Sequence, residues 1–404
     1  MSETYKFPSD FLWGTATSAH QTEGNNTNSD WWDWEQNKKP SHKYPEQPSG
    51  IACDSYSRYE EDFDLCKQLN NNAVRISIEW ARIEPQEGQF NQEAIEHYKK
   101  VLKAAKDRNL KTFVTLHHFT NPIWFSKKNG WLNSKASKLF ANYAEKCAQE
   151  FGALTDVFLT INEPQVLALM AFTNGTWPPN KKNLFSSLRV QLNMMLAHKK
   201  AYKSIKKVGD YPVGIVKNIV WYETDPFKNN PVDKLICKFM NYIGRDFFLR
   251  PIIKHIDLLG LNYYFTNRIT NLKSVSPSDY VSDLGWWINP PGLAKILEHL
   301  HTYNIPIYVT ENGLADSTDK FRKTFLQDML IACSQAITNG VPLKGYFHWS
   351  LIDNYEWHHG FWPRFGLVEI DRANNLQRKP RPSFYYYAQV CKENEIKVEK
   401  KGDA

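Results

Sequence analysis

The 404-residue chain is 42% hydrophobic and 23% charged, enough apolar material for one large barrel or two ordinary domains. Its net charge of +7 comes from lysine pairs dispersed among acids, such as Lys99-Lys100 and Lys206-Lys207, a solvated exterior that excludes a nucleic-acid track. With no signal peptide, no apolar run of about 18 residues and no Cys-x-x-Cys among six scattered cysteines, a cytoplasmic protein with free thiols and no membrane partner is expected.

Apolar runs of strand character alternate with amphipathic segments of helical period along the chain. A strand at residues 11–16 precedes a helix at 55–69, and a strand at 74–79 precedes a helix at 92–106. Strands at 112–117 and 157–161 are followed by helices at 137–151 and 184–207. Further strands are predicted at 213–217, 258–263, 307–310 and 345–349, with helices at 320–338 and near 382–391 and a short charged tail from about 392. No linker or repeat interrupts the pattern, so residues 1–404 are expected to form a single catalytic domain. Eight strands alternating with helices argue for a parallel sheet, and closure into a (β/α)8 TIM barrel is the natural use of eight.

That assignment brings polar residues from distant parts of the chain to one mouth. Gln21 and Glu23 follow the first strand, and Arg75 and Glu79 lie within or near the end of the second. His117 and His118 end the third, Asn162 and Glu163 the fourth, and Asn262 and Tyr264 the sixth. Glu311 ends the seventh and Trp349 the eighth, with Glu356 and Trp357 in the loop beyond. Barrel enzymes build their sites on that C-terminal face. Either glutamate string alone, Asn162-Glu163-Pro164 or Thr310-Glu311-Asn312-Gly313, reads equally as a helix start or a turn. Two carboxylates presented together at strand ends suit glycoside hydrolysis, which needs one acid and one nucleophile. The 14 Trp and 20 Tyr residues suit stacking on the apolar faces of sugar rings as well as core packing.

The strings Phe11-Leu12-Trp13-Gly14-Thr15-Ala16, Gln21-Thr22-Glu23-Gly24, Asn162-Glu163-Pro164, Leu261-Asn262-Tyr263-Tyr264 and Thr310-Glu311-Asn312-Gly313, with the stretch 345–366, resemble glycoside hydrolase family 1, the β-glucosidase family. The resemblance runs in the family's order from Phe7 to about Cys391. It implies Glu163 as general acid/base and Glu311 as nucleophile, with Arg75 and Tyr264 hydrogen-bonding the nucleophile. It also implies a sugar-binding set of Gln21, His118, Asn162, Asn262 and Glu356, an aromatic platform at Trp349, a second indole at Trp357, and Trp286 on the leaving-group side. The chemistry asks for the same residue types: Arg75 and a tyrosine hydroxyl suit an ionised nucleophile, and the charge of Glu311 would keep Glu163 protonated.

Other residues read as structural. His117 should face away from His118 on its strand and pack, and Glu23, Glu79, Trp31, Trp32 and Trp34 read as support around the mouth. Two departures bear on specificity: His117-His118-Phe119 stands where Tyr-His-Trp is commoner, and Phe361-Trp362-Pro363-Arg364 lacks a lysine before the arginine. The expected activity is retaining hydrolysis of terminal β-D-glucosides, with β-galactosides or β-fucosides as further substrates and small glycosides or oligosaccharides as partners. A 6-phospho-β-glycosidase, a transglycosylase and a non-catalytic sugar-binding barrel are the alternatives. No cofactor and no metal are expected, since no His or carboxylate cluster has ligand spacing.

Overall fold

A computed structural model describes residues 2–37, 47–228 and 230–399. Eight parallel strands close into a barrel in chain order: Leu12–Ala16, Ala73–Ser77, Lys111–His117, Val157–Asn162, Val213–Asn218, Leu258–Asn262, Ile307–Asn312 and Leu343–Trp349, the eighth pairing with the first. They are referred to below as the first to eighth strands. Each predicted strand lies within two residues of its observed bounds. Strands four and six are buried end to end, which explains runs such as Leu258-Leu259-Gly260-Leu261: both faces of a parallel sheet are covered. Inward residues such as Phe113, Leu159, Val216 and Phe347 fill the barrel, while Ile161, Ile215 and Val309 belong to the larger core beneath the helices.

The helices start where the sequence supplies caps. Asn91 accepts hydrogen bonds from the backbone of Glu93 and Ala94 at 2.9 and 3.2 Å to open Gln92–Asp107, and Asn183 caps Leu184–Val208 through Ser186. Glu79 falls beyond strand two rather than within it. It caps the short helix Trp80–Ile83 by accepting from the Ala81 N–H at 3.1 Å, a structural use of its carboxylate.

Several elements were not predicted. Glu395–Glu399 in the charged tail pairs antiparallel with Ser2–Lys6, so the two ends of the described chain share a sheet. Trp221–Thr224, Thr266–Thr270 and Lys273–Val275 form a three-stranded sheet beyond strands five and six, with the helix Pro231–Asn241 beside it. All six cysteines are buried thiols. Among the described residues no helix is long and apolar enough to cross a membrane.

Lys217 on strand five is fully buried, its Nζ has no hydrogen-bond partner, and it lies 4.9 Å from the centre of the Phe248 ring. Burial drives its pKa well below the usual lysine range, with Glu163 acting weakly the other way. Burial thus favours the neutral amine in the folded protein while the unfolded chain keeps it protonated, and that difference costs stability. That cost shrinks as pH rises toward the unfolded value of about 10.4. Lys217→Met keeps the length and removes the orphaned amine. It is expected to raise stability at pH 7 by about 1–3 kcal/mol. Thermal melts at pH 7 check this; a lower melting temperature would contradict it.

Candidate active site

The barrel strands bring Arg75, Asn162, Glu163, Asn262, Tyr264 and Glu311 into one buried hydrogen-bonded cluster, and their contacts sort them. Glu311 closes strand seven, and the Asn312-Gly313 turn that follows is held hard against strand eight. A Cβ on Gly313 would sit 1.7 Å from the Trp349 carbonyl oxygen, so only glycine fits there. Asn312 locks the same turn, donating to the Tyr263 carbonyl at 2.6 Å and accepting from the Tyr346 hydroxyl at 2.8 Å.

The Glu311 carboxylate is gripped from two sides. Arg75, fully buried on strand two, donates from Nη1 to Oε1, and the Tyr264 hydroxyl donates to Oε2 at 2.6 Å. Burial and the charges of Glu311 and Glu163 hold the Tyr264 hydroxyl far above the usual tyrosine pKa, so it stays a donor. Arg75 is itself fixed, through Nε to Thr115 Oγ1 at 3.1 Å and through Nη2 to Asn162 Oδ1 at 2.7 Å. Such a buried cation cannot be removed alone. Arg75→Met is expected to cost about 3–5 kcal/mol in chemical denaturation, because it leaves the Glu311 carboxylate uncompensated; a loss under about 1 kcal/mol would mean that the pair is not the locked unit described.

Glu163 is treated in the opposite way. It sits in the left-handed region, φ 44° and ψ 58°, immediately before Pro164, which opens the helix Pro164–Ala168. Its Oε1 accepts only neutral amide hydrogen bonds, from Asn262 Nδ2 at 2.6 Å and Asn218 Nδ2 at 3.1 Å. Burial, and then the charge of Glu311, push its pKa up to about 8. One buried network thus holds two carboxyls in opposite surroundings, one paired with a cation and a phenol, the other with neutral amides.

Asn162 links the halves. Its Oδ1 accepts from Arg75 and from Asn262 at 3.2 Å, so its amide nitrogen faces His118 Nε2 at 3.2 Å. That orientation makes Nε2 the acceptor and assigns the ring proton to Nδ1. Burial and Arg75 hold the His118 pKa well below the usual range, so the ring is neutral, and Nδ1 has no partner. The ring lies near-parallel to two indoles, 6.0 Å from Trp349 and 6.1 Å from Trp357, centre to centre. Glu356, in the loop after strand eight, has a buried Oε2 without a partner, and burial with the charges of Glu311 and Glu163 raises its pKa to about 8.

Two residues assigned to the sugar have their side chains committed within the protein. Asn262 donates to Glu163 and Asn162, and its oxygen accepts from Thr310 at 2.8 Å. Gln21 is fully buried; it accepts from Ser18 at 2.6 Å and donates to Asn354 and to the Tyr355 carbonyl at 3.1 and 2.9 Å. Trp286 packs on Tyr264 at 5.6 Å and so stands at the edge of the carboxylate pocket. His117 points away, bonded to Asn121 at 3.0 Å and packed on Trp131. Glu23 is bound by Arg82 and Tyr98 rather than exposed to the pocket. Trp31 is buried against Trp34, Trp177 and Trp357.

Asn218 and His20 escaped prediction. Asn218 ends strand five one residue beyond the predicted bound, and a polar residue at that end was the available signal. His20, stacked 5.8 Å from Trp357, had no signal beyond its neighbour Gln21. Among the described residues no cluster of His, Cys, Asp and Glu could hold a metal ion.

The profile of glycosyl hydrolase family 1 matches residues 3–257 and 249–396. β-Glucosidase A of Thermotoga maritima is 31% identical over 444 residues, covering 96% of this chain and 98% of that protein. A β-galactosidase of Pyrococcus woesei is 30% identical, covering 93% of this chain and 94% of that one. The β-glycosidase from Pyrococcus horikoshii superposes with a TM-score of 0.90 at 36% identity, over 98% of this chain and 97% of that one. With the barrel, its carboxyl pair and matches over nearly the whole length, the chain belongs to glycosyl hydrolase family 1 and is a β-glycosidase.

Proposed function

We propose that Glu311 is the nucleophile and Glu163 the general acid/base in double-displacement hydrolysis of terminal β-D-glucosides, with β-galactosides or β-fucosides as further substrates. The contrast between the two carboxyls supports this most: one is held by a guanidinium and a phenol, the other by neutral amides with its pKa raised to about 8. In the first step a Glu311 oxygen attacks the anomeric carbon while Glu163 gives its proton to the departing glycosidic oxygen. The ester formed removes the charge of Glu311, which lowers the pKa of Glu163. Glu163 then takes a proton from water as that water attacks the anomeric carbon and Glu311 leaves as a carboxylate. Two inversions give net retention.

Orphaned polar atoms on His118 (Nδ1–H) and Glu356 (Oε2) support these residues as binders of sugar hydroxyls, with Trp349 beside His118 as the stacking surface. Relatives named β-glucosidase and β-galactosidase support acceptance of both C4 epimers. Cytoplasmic action on small glycosides or oligosaccharides fits this reading. A panel of nitrophenyl β-glycosides tests it, and failure to turn over the glucoside, galactoside or fucoside would refute it.

A 6-phosphate is disfavoured, because Glu356 offers it a carboxyl rather than a cation, and Pro363 stands where the resemblance would put a lysine for phosphate. The neutral β-glucoside is expected to exceed its 6-phosphate by roughly tenfold or more in kcat/KM, since one lost charge-assisted contact costs about 1.5–3 kcal/mol. The preference should steepen as pH rises past 8 and Glu356 ionises. Equal turnover of the phosphate ester would overturn the neutral-sugar assignment. Transglycosylation shares the ester intermediate, and product analysis with added methanol separates the two outcomes.

A further inference from the structure

The helix Pro231–Asn241 turns an apolar face to solvent. Leu235 and Phe239 are 66% and 59% exposed, and Val232 completes the spacing of three and four that defines one helical face. Phe227, just before the helix, is 94% exposed. At the neighbouring hairpin tip Leu272 is 63% exposed and holds φ 64°, a left-handed position where glycine or asparagine is usual. The tip and the helix are tied together, because the Asp233 carboxylate accepts the backbone N–H groups of Asn271 and Leu272 at 2.9 Å each. Large aliphatic and aromatic side chains exposed side by side call for a partner.

The charges around this face choose among partners. Lys228, Lys234, Lys238 and Lys273 are exposed here. The one acid between residues 226 and 241 is Asp233, which is buried and used by the hairpin. A second copy of the chain pairing through the same face would set lysines against lysines. A bilayer with anionic headgroups accepts both the apolar side chains and the lysines. We propose that this face docks peripherally on an anionic lipid surface. The sheet and helix that carry it leave the carboxyl ends of strands five and six, where Asn218 and Asn262 contact Glu163. Docking would therefore bring the active-site rim close to the membrane. The absence of a long apolar run excluded a spanning segment, but it does not bear on a surface assembled from a helix and a hairpin.

The test is co-sedimentation of the full-length enzyme with vesicles of phosphatidylcholine alone and of an about 2:1 mixture of phosphatidylcholine and phosphatidylglycerol. Binding to the mixed vesicles should exceed binding to the neutral ones by about tenfold and weaken between about 0.1 M and 1 M salt. Phe227→Ser/Leu235→Ser/Phe239→Ser should lose it by about tenfold or more while still hydrolysing a nitrophenyl glucoside, which confirms its fold. Equal binding to both vesicle types, or undiminished binding by the triple variant, would overturn the proposal. So would vesicle-independent self-association of the unmodified enzyme, measured by light scattering, that the triple variant abolishes.

Discussion

Replacing Glu311 with alanine is expected to lower kcat for a nitrophenyl β-glucoside by at least about 10⁴-fold, the scale on which loss of a covalent nucleophile acts. No neighbour can substitute for it. Glu163 is already held in place by the Asn262 and Asn218 amides. Added azide or formate should partly restore turnover, because a small anion fits the space left by the carboxylate and attacks from the same face. The azide product should carry the α configuration, since only one displacement then occurs. A β-azide would mean that the anion attacks a covalent intermediate still being formed, which would reverse the assignments of Glu311 and Glu163. Rescue also establishes that the variant is folded, an essential control when Arg75 loses its partner.

Glu163→Gln should produce a different pattern. For aryl glycosides whose leaving groups need no proton, the first step should be little changed; for alkyl glycosides the loss should reach about 10²–10⁴-fold. In the unmodified enzyme kcat/KM should fall as pH rises past 8, because the acid must be protonated and its pKa lies near that value. Glu356 is also raised to about 8, so two groups compete for that limb. Glutamine at 163 cannot titrate. If the basic limb disappears in the variant, Glu163 carries it; if it persists unchanged, Glu356 does. The macroscopic values belong to the coupled set of three carboxyls rather than to single residues.

Sequence alone resolved the barrel because its strands are buried on both faces and read as near-continuous apolar runs, such as Leu258-Leu259-Gly260-Leu261. The carboxyl pair was legible for a related reason, as each glutamate is the first charged group after such a run. What escaped was of two kinds. Short strands outside the barrel, such as Glu395–Glu399, are largely polar, and their pairing with Ser2–Lys6 is decided by the meeting of distant segments rather than by local pattern. Occupancy of polar side chains also escaped. Gln21 and Asn262 read as sugar-facing amides by position, yet their hydrogen bonds go to Ser18, Asn354, Tyr355, Glu163, Asn162 and Thr310. Only three-dimensional geometry shows which buried donors and acceptors are already satisfied, and by that measure His118 and Glu356 each keep a buried polar atom without a partner.

Incubation with 2-deoxy-2-fluoro-β-D-glucosyl fluoride, followed by peptide mass spectrometry, tests the double-displacement assignment most directly. The fluorine slows both displacements by destabilising positive charge at the anomeric carbon, while the fluoride leaving group lets the first step proceed. The enzyme should be inactivated with one fluoroglucosyl group per chain, carried on Glu311 in the peptide containing Thr310-Glu311-Asn312-Gly313. A label on Glu163 or Glu356, or inactivation without any covalent adduct, would contradict the account.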